Sequence, residues 1–252
     1  MTYSRIYISA PLAVNQEITL PKDKAHYIQR VLRLPAQSQV ILFNDQGGEY
    51  LARLRFDGKT VHAHIEDFRD VDRELGLRLT VAQGLATGDK MDWIIEKAVE
   101  MGVYRFAPIA AQHSILKLSA QRAEKRVAHW QRIIEAASAQ CGRNRLMQLE
   151  APQTLGDFLD QIADQASAPG HGIILCHQIA TTDFVQALTP PQGGWQHLYL
   201  LVGPEGGWSN EEVEMALAHK ARPLLFGPRV LRAETAAIGL VGAIRGFLHC
   251  LD

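Results

Sequence analysis

The sequence predicts an α/β protein, a mostly parallel sheet flanked by helices and preceded by a small β-barrel. Three observations carry this. From residue 77 onward, short apolar runs alternate with helix-like runs, the pattern of a parallel sheet. Two apolar runs each end in a glycine turn that opens a helix, in Leu201-Val202-Gly203-Pro204-Glu205-Gly206-Gly207-Trp208-Ser209 and in Phe226-Gly227-Pro228-Arg229-Val230-Leu231-Arg232-Ala233-Glu234-Thr235-Ala236. Strand, glycine turn and helix, used twice, is how such a sheet builds a ligand crevice at its strand ends. Before residue 72 the chain instead reads as short strands broken by turn signals, with one helix among them.

That helix covers residues 22–34 and is stopped by Pro35. Residues 40–43 are an apolar strand ended by the turn Asn44-Asp45-Gln46-Gly47-Gly48. Residues 49–56 and 60–65 alternate about Asp57-Gly58-Lys59 as a hairpin. Strands so short and close suggest a barrel over residues 1–72. The charged, glycine-terminated stretch 69–76 sets the boundary, and residues 73–252 form the second domain. There, residues 77–83 are a strand, and 91–101 a helix with Trp93, Ile94, Lys97, Ala98 and Met101 three and four apart. Residues 103–110 are a strand with Pro108 near its end, and 119–140 a long helix capped by Ser119 and ended by Gly142. Residues 172–176, 198–202 and 223–226 are buried strands. Ser209 caps a helix whose first turn holds Glu211 and Glu212, where the helix dipole favours negative charge. Residues 234–248 are the last helix.

The chain of 252 residues is 47% hydrophobic, enough for a sizeable core and too apolar for disorder. No apolar run is long enough to span a membrane, and the N-terminus carries no signal-peptide pattern. Three separated cysteines, Cys141, Cys176 and Cys250, argue against a disulfide framework or zinc site and fit a reducing cytoplasm. His62 and His64 share a strand face but lack a third ligand, so no metal is expected. The net charge is −1, which gives no global signal for nucleic acid. Local clusters do: Arg53 with Arg55, Arg122 to Arg132, Arg143 with Arg145, and Arg229 with Arg232. They suit one structured RNA site, or are solvated faces.

The two glycine turns match neither the phosphate-cradling GxxxxGK[ST] loop nor the dinucleotide GxGxxG fingerprint. Their glycines are turn residues needing positive φ, or points where backbone closely approaches a ligand. Glu205 is a capping carboxylate or a catalytic one. Arg232 and Glu234 are an ion pair at a helix start or a mechanistic pair. The last helix has Ala236, Ile238, Leu240, Val241, Ile244, Phe247 and Leu248 on more than one face, so it is buried on several sides.

Taken in order, GPEGGWS and FGPRVLRAETAA resemble the paired C-terminal signature of the SPOUT methyltransferases, and within them the bacterial 16S rRNA uracil-N3 methyltransferases, the RsmE family. The stretch DKMDWIIEKAVEMGV from Asp89 resembles the family's K..ELGV block, Gln140-Cys141-Gly142-Arg143 its QCGR turn, and His26 with Val31-Leu32-Arg33 its H…VLR entry. The resemblance spans nearly the whole chain. Phe226, Ala233 and Ala111-Gln112-His113-Ser114 depart from the family pattern.

The resemblance implies a PUA-like RNA-binding barrel before a trefoil-knotted SPOUT domain, with the last helix threaded through the loop before it. It implies an S-adenosyl-L-methionine pocket built by Leu175, Leu201, Gly203, Pro204, Glu205, Gly206, Gly207, Leu225, Gly227, Val230, Leu231, Thr235 and Ala236. It implies 16S rRNA within the small ribosomal subunit as substrate, contacted by Arg5, His26, Arg30, Arg33, Lys90 and Arg143, and a homodimer with composite sites. Methylating uracil N3 requires loss of an imide proton, and the charge spreads onto O2 and O4. Arg232 would stabilise it, and Glu234, or Glu205, would act as the catalytic carboxylate. The rivals are a ribose 2′-O-methyltransferase of the same superfamily and a non-catalytic RNA-binding or assembly protein.

Overall fold

Alternation of buried and exposed residues builds the first of two units in the computed structural model, which describes residues 3–116, 119–178 and 182–249. Strands β1 (Ser4–Tyr7), β2 (Glu17–Thr19), β3 (Gln39–Phe43), β4 (Glu49–Asp57) and β5 (Thr60–Arg69) form a sheet in the order β1-β3-β4-β5-β2. The β1–β3 pair is parallel and the others antiparallel, with a bulge at Leu51/Ala52. On β5, Val61, Ala63 and Ile65 are fully buried while His62 and His64 point the other way, the two-residue period of a strand with one face on a core. Ile6, Val40, Leu42, Leu54 and Ile28 complete that core. The expected helix at residues 22–34 is shorter and changes character. Helix α1 (Lys22–His26) gives way to a wider π turn over Tyr27–Val31, and Arg33 then adopts a left-handed φ of 49°. This unit comprises Met1–Glu74 together with Glu135–Leu146.

The second unit comprises Leu75–Ile134 and Met147–Asp252. Its strands are β6 (Arg78–Gly84), β7 (Arg105–Ile109), β8 (Gln148–Leu149), β9 (His171–Cys176), β10 (His197–Val202) and β11 (Arg222–Leu224), ordered β11-β9-β10-β6-β7-β8. Every pairing among these strands is parallel. Such strands are buried on both faces and read as continuous apolar runs, as all six residues of β10 do.

Helices cover both faces of this sheet. Tyr199 and Leu201 pack with Leu155, Phe158, Leu159 and Ile162 of α4 (Leu155–Ala166) and Ala216 of α6 (Asn210–Ala218). Helices α2 (Lys90–Glu100) and α7 (Ala233–His249) pack on each other, and α7 also meets β10. The remaining helices are α3 (Ala120–Cys141) and the short α5 (Phe184–Leu188). Helix α4 was not anticipated from sequence, yet its signals are there. Thr154 caps it through Asp157 N at 3.1 Å, and its buried residues fall three and four apart.

Candidate functional site at the strand ends

Because the second sheet is parallel, its strands all end on one edge. The register sets Val202 beside Gln83, and Leu224 beside Cys176. The segments that leave β9, β10 and β11 therefore emerge together, as the crevice rule for open α/β sheets requires. Between them and the start of α7 lies a cleft of about 700 Å³.

Of the residues expected around a cofactor, Gly203, Pro204, Glu205, Gly206, Gly207, Leu225, Gly227, Val230, Leu231 and Ala236 line this cleft. Arg232 and Lys90 also line it. Leu175 and Leu201 do not: both are wholly buried in the sheet core, because strand alternation turns them toward α4. Thr235 is exposed outside the wall. Cys176, at the end of the strand expected to help hold the cofactor, lines the cleft too, while His177, Gln178, Val202, Trp208, Phe226, Arg229 and Ala233 were not among the expected cofactor residues. Their signal was adjacency, since all but Gln178 lie within two residues of one already singled out. Burial pushes the Cys176 thiol up to about 11, so it is not a reactive thiolate at neutral pH.

The first glycine loop is held by contacts from distant segments. Gly84, the last residue of β6, lies so close that a Cβ on it would sit 2.4 Å from Pro204 N. Gln83 Nε2 donates to the carbonyl oxygen of Gly203 at 3.2 Å. Gly207 has φ of 71° and Gly227 of 78°, backbone that side-chain-bearing residues adopt only with strain. His113 Nδ1 lies 3.2 Å from the carbonyl oxygen of Gly206. A carbonyl only accepts, so Nδ1 carries the proton in this contact. Ser209 then starts α6 with a full capping box, Glu212 N donating to Ser209 Oγ at 3.2 Å and Ser209 N to Glu212 Oε2 at 2.9 Å.

Glu205 anchors the loop. Its Oε1 accepts from Thr87 N at 3.0 Å, from Thr87 Oγ1 at 2.9 Å and from Lys90 Nζ at 3.0 Å. Burial alone would raise its pKa. The Thr87 and Glu205 backbone N–H groups, Lys90 and the Thr87 hydroxyl outweigh burial and hold it at about 2. A carboxylate so stabilised is a poor proton acceptor at neutral pH.

Arg232 and Glu234 do not pair with each other. Glu234 Oε2 lies 3.8 Å from Lys90 Nζ, is buried, and has no hydrogen-bond partner among the described residues. Arg232 is exposed at the cleft, and its guanidinium has no ion-pair or hydrogen-bond partner among the described residues. Trp208 is 6% exposed, and its Nε1 likewise lacks a partner among them.

The expected RNA contacts divide. His26, Arg30 and Arg33 are exposed on the first unit. Arg5 and Arg143 are both engaged by carboxylates or amides of the first unit. Arg5 Nη1 pairs with Glu49 Oε2 at 2.5 Å and Arg5 also bonds Asn144 Oδ1. Arg143, 4% exposed, bonds Glu74 through its Nε at 2.9 Å. Burial raises the Glu49 pKa, but hydrogen bonds from Arg5 and Arg73 outweigh it and lower the value. These guanidiniums close ion pairs within the first unit.

The comparisons with known proteins match two stretches of the chain. The family described as RNA methyltransferase domain matches residues 73–245, and that described as RNA methyltransferase PUA domain matches residues 20–66. The parallel sheet and its glycine-walled cleft thus fall in the RNA methyltransferase class. Ribosomal RNA small subunit methyltransferase E of Bacillus subtilis is 31% identical over 230 residues, 88% of this chain and 87% of its own. Its counterpart in Synechocystis is 30% identical over 245 residues, 97% of this chain and 78% of its own. The crystal structure of Ribosomal RNA small subunit methyltransferase E from Neisseria gonorrhoeae, bound to S-adenosyl methionine, has a TM-score of 0.86 at 27% identity, covering 98% of both chains. The chain belongs to the ribosomal RNA small subunit methyltransferase E family.

Proposed function

We propose that the chain is an S-adenosylmethionine-dependent methyltransferase acting on N3 of one uridine of 16S rRNA, in the decoding region of the small ribosomal subunit. The observation that carries the chemistry is an unpaired cation, Arg232, on the wall of a glycine-lined cleft in a member of this family. The cleft suits the cofactor. Backbone of Gly203 and Gly227 approaches it without side chains, Leu225 and Leu231 give it apolar walls, and the orphaned Trp208 Nε1 offers a buried donor. Bound there, the cofactor supplies a methyl group activated on a sulfonium. The chain's part is to orient the base and to meet its charge. Arg232 offers a planar donor fork to the uracil oxygens as the imide proton leaves.

Glu234 is held behind the wall against Lys90, and Glu205 Oε1 already accepts from Thr87 and Lys90. Both carboxylates therefore act on the site through the cation between them. The exposed His26, Arg30 and Arg33 supply positive charge for the RNA backbone. A cytoplasmic homodimer, with the last helix threaded as a knot, belongs to this reading. A subunit contact there would cover Trp93, 44% exposed on α2, the helix that packs on α7.

The test is mass-spectrometric mapping of small-subunit RNA from cells lacking the protein, before and after treatment with the purified protein and S-adenosylmethionine. N3-methyluridine restored at one position is expected. A methyl on a ribose, or none, would overturn the assignment in favour of a 2′-O-methyltransferase or a non-catalytic binding protein.

A further inference from the structure

Lys90 occupies a position that local electrostatics disfavour. It is the first residue of α2, where the helix dipole is positive and repels a cation. Two carboxylates from distant segments hold it there, Glu205 Oε1 at 3.0 Å and Glu234 Oε2 at 3.8 Å. One belongs to the first glycine loop and the other to the first turn of α7. Places where a sequence breaks a local rule and compensates from afar are where function is expected.

The geometry points to Lys90 as a catalytic residue, the ammonium that stabilises the charge developing on the uracil ring, with Glu205 and Glu234 as its positioning residues. An ammonium has three N–H donors. Glu205 takes one, and Glu234 at 3.8 Å is an ion-pair neighbour rather than a hydrogen-bond acceptor. A donor therefore remains for the cleft that Lys90 lines. Its side chain is 32% exposed, open enough to meet a base. The two anchors fix its direction before substrate arrives, which is what makes a charge effective in a transition state.

The step balances as follows. The N3–H bond breaks and its proton passes to solvent water. The electron pair left behind spreads over N3, O2 and O4, and Lys90 Nζ donates a hydrogen bond to one of those oxygens while Arg232 serves the other side. The pair then forms the N3–CH3 bond, and the pair of the broken S–CH3 bond returns to sulfur.

This inference rests on the N3 assignment and is tested on the full-length protein with small-subunit RNA. Lys90→Gln keeps a donor but removes the charge. Its single-turnover rate is expected to fall about 100-fold, the scale of losing one oxyanion donor. Its calorimetric affinity for S-adenosylmethionine and its melting temperature are expected to stay near wild type, since Thr87 still supplies two donors to Glu205. Lys90→Arg is expected to recover most of the rate. RNA carrying 5-fluorouridine, whose N3 proton is more acidic, needs less charge stabilisation and is expected to shrink the Lys90→Gln deficit to about tenfold or less. A packing role for Lys90 would leave the deficit equal on both RNAs. That result, or a Lys90→Gln rate within threefold of wild type, overturns the inference. Failure of the wild-type protein to methylate N3 would instead overturn the functional assignment on which it rests.

Discussion

Gly84→Ala tests how the first glycine loop is held. The added methyl would sit 2.4 Å from both Pro204 N and Pro204 Cδ and 2.9 Å from Gly203 C, where ordinary contact begins at 3.4 Å. The loop must therefore withdraw by about 1 Å, and Gln83 opposes this by bonding the carbonyls of both Gly203 and Gly84. Forcing a methyl into such a contact costs about 1–3 kcal/mol. If that cost falls on the loop geometry that cofactor needs, affinity drops about 5- to 150-fold, at about 1.4 kcal/mol per tenfold. The assay is calorimetric titration of the folded variant with S-adenosylmethionine, with its melting temperature measured alongside. Gly76→Ala, which meets nothing within 4 Å, is the control and should titrate as wild type. A Gly84→Ala protein that binds within twofold of wild type would refute the claim that this approach sets the cleft's shape.

Arg232→Ala is expected to lower the single-turnover methylation rate about 100-fold with cofactor affinity and stability nearly intact, because its side chain has no partner to lose; a rate within threefold would assign the charge to other groups. His197 is 4% exposed, bonded to Thr80 Oγ1 at 2.8 Å and stacked on Tyr199. Burial, with His171, Arg105 and Arg78 nearby, lowers its pKa from 6.5 to about 4. Between these values the unfolded chain binds the extra proton, so this stabilisation is complete above about pH 6.5 and lost as pH falls toward 4, about 3 kcal/mol in all. Urea titrations of His197→Gln across that window should show a flatter decline than wild type, and equal slopes would count against it. Ser209→Ala removes the side-chain cap of α6 and should cost about 1 kcal/mol in urea unfolding; no loss would mean that Glu212 holds the helix start through the backbone N–H groups of residue 209 and Gln112.

What the sequence made legible was whatever is local. The glycine turns, the Ser209–Glu212 cap and the apolar strands of the second sheet all announce themselves within a few residues. Strands β1, β2 and β8 are too short to show a period, and the π turn after His26 keeps the apolar spacing of an ordinary helix. The site's charges were legible as residue types but not as pairs. Glu205 lies 118 residues from Thr87 and 115 from Lys90, so nothing near it in the chain reveals these partners. Arg5 and Arg143 show the same limit from the other side. A basic residue looks available for RNA until the fold supplies the buried carboxylate that takes it.

The return of Glu135–Leu146 to the first unit bears on the order in which the chain is made. Domains commonly fold as they leave the ribosome, the N-terminal one first. Here the first unit lacks parts until residue 146 has emerged. Before then Arg5 has no Asn144, Lys24 no Glu135, and the Asp45 carboxylate no Leu146 N–H to accept from. Synthesis of the second unit is well under way by that time. The N-terminal unit is thus not a cassette that can be completed early, cut at a single peptide bond or moved intact into another protein.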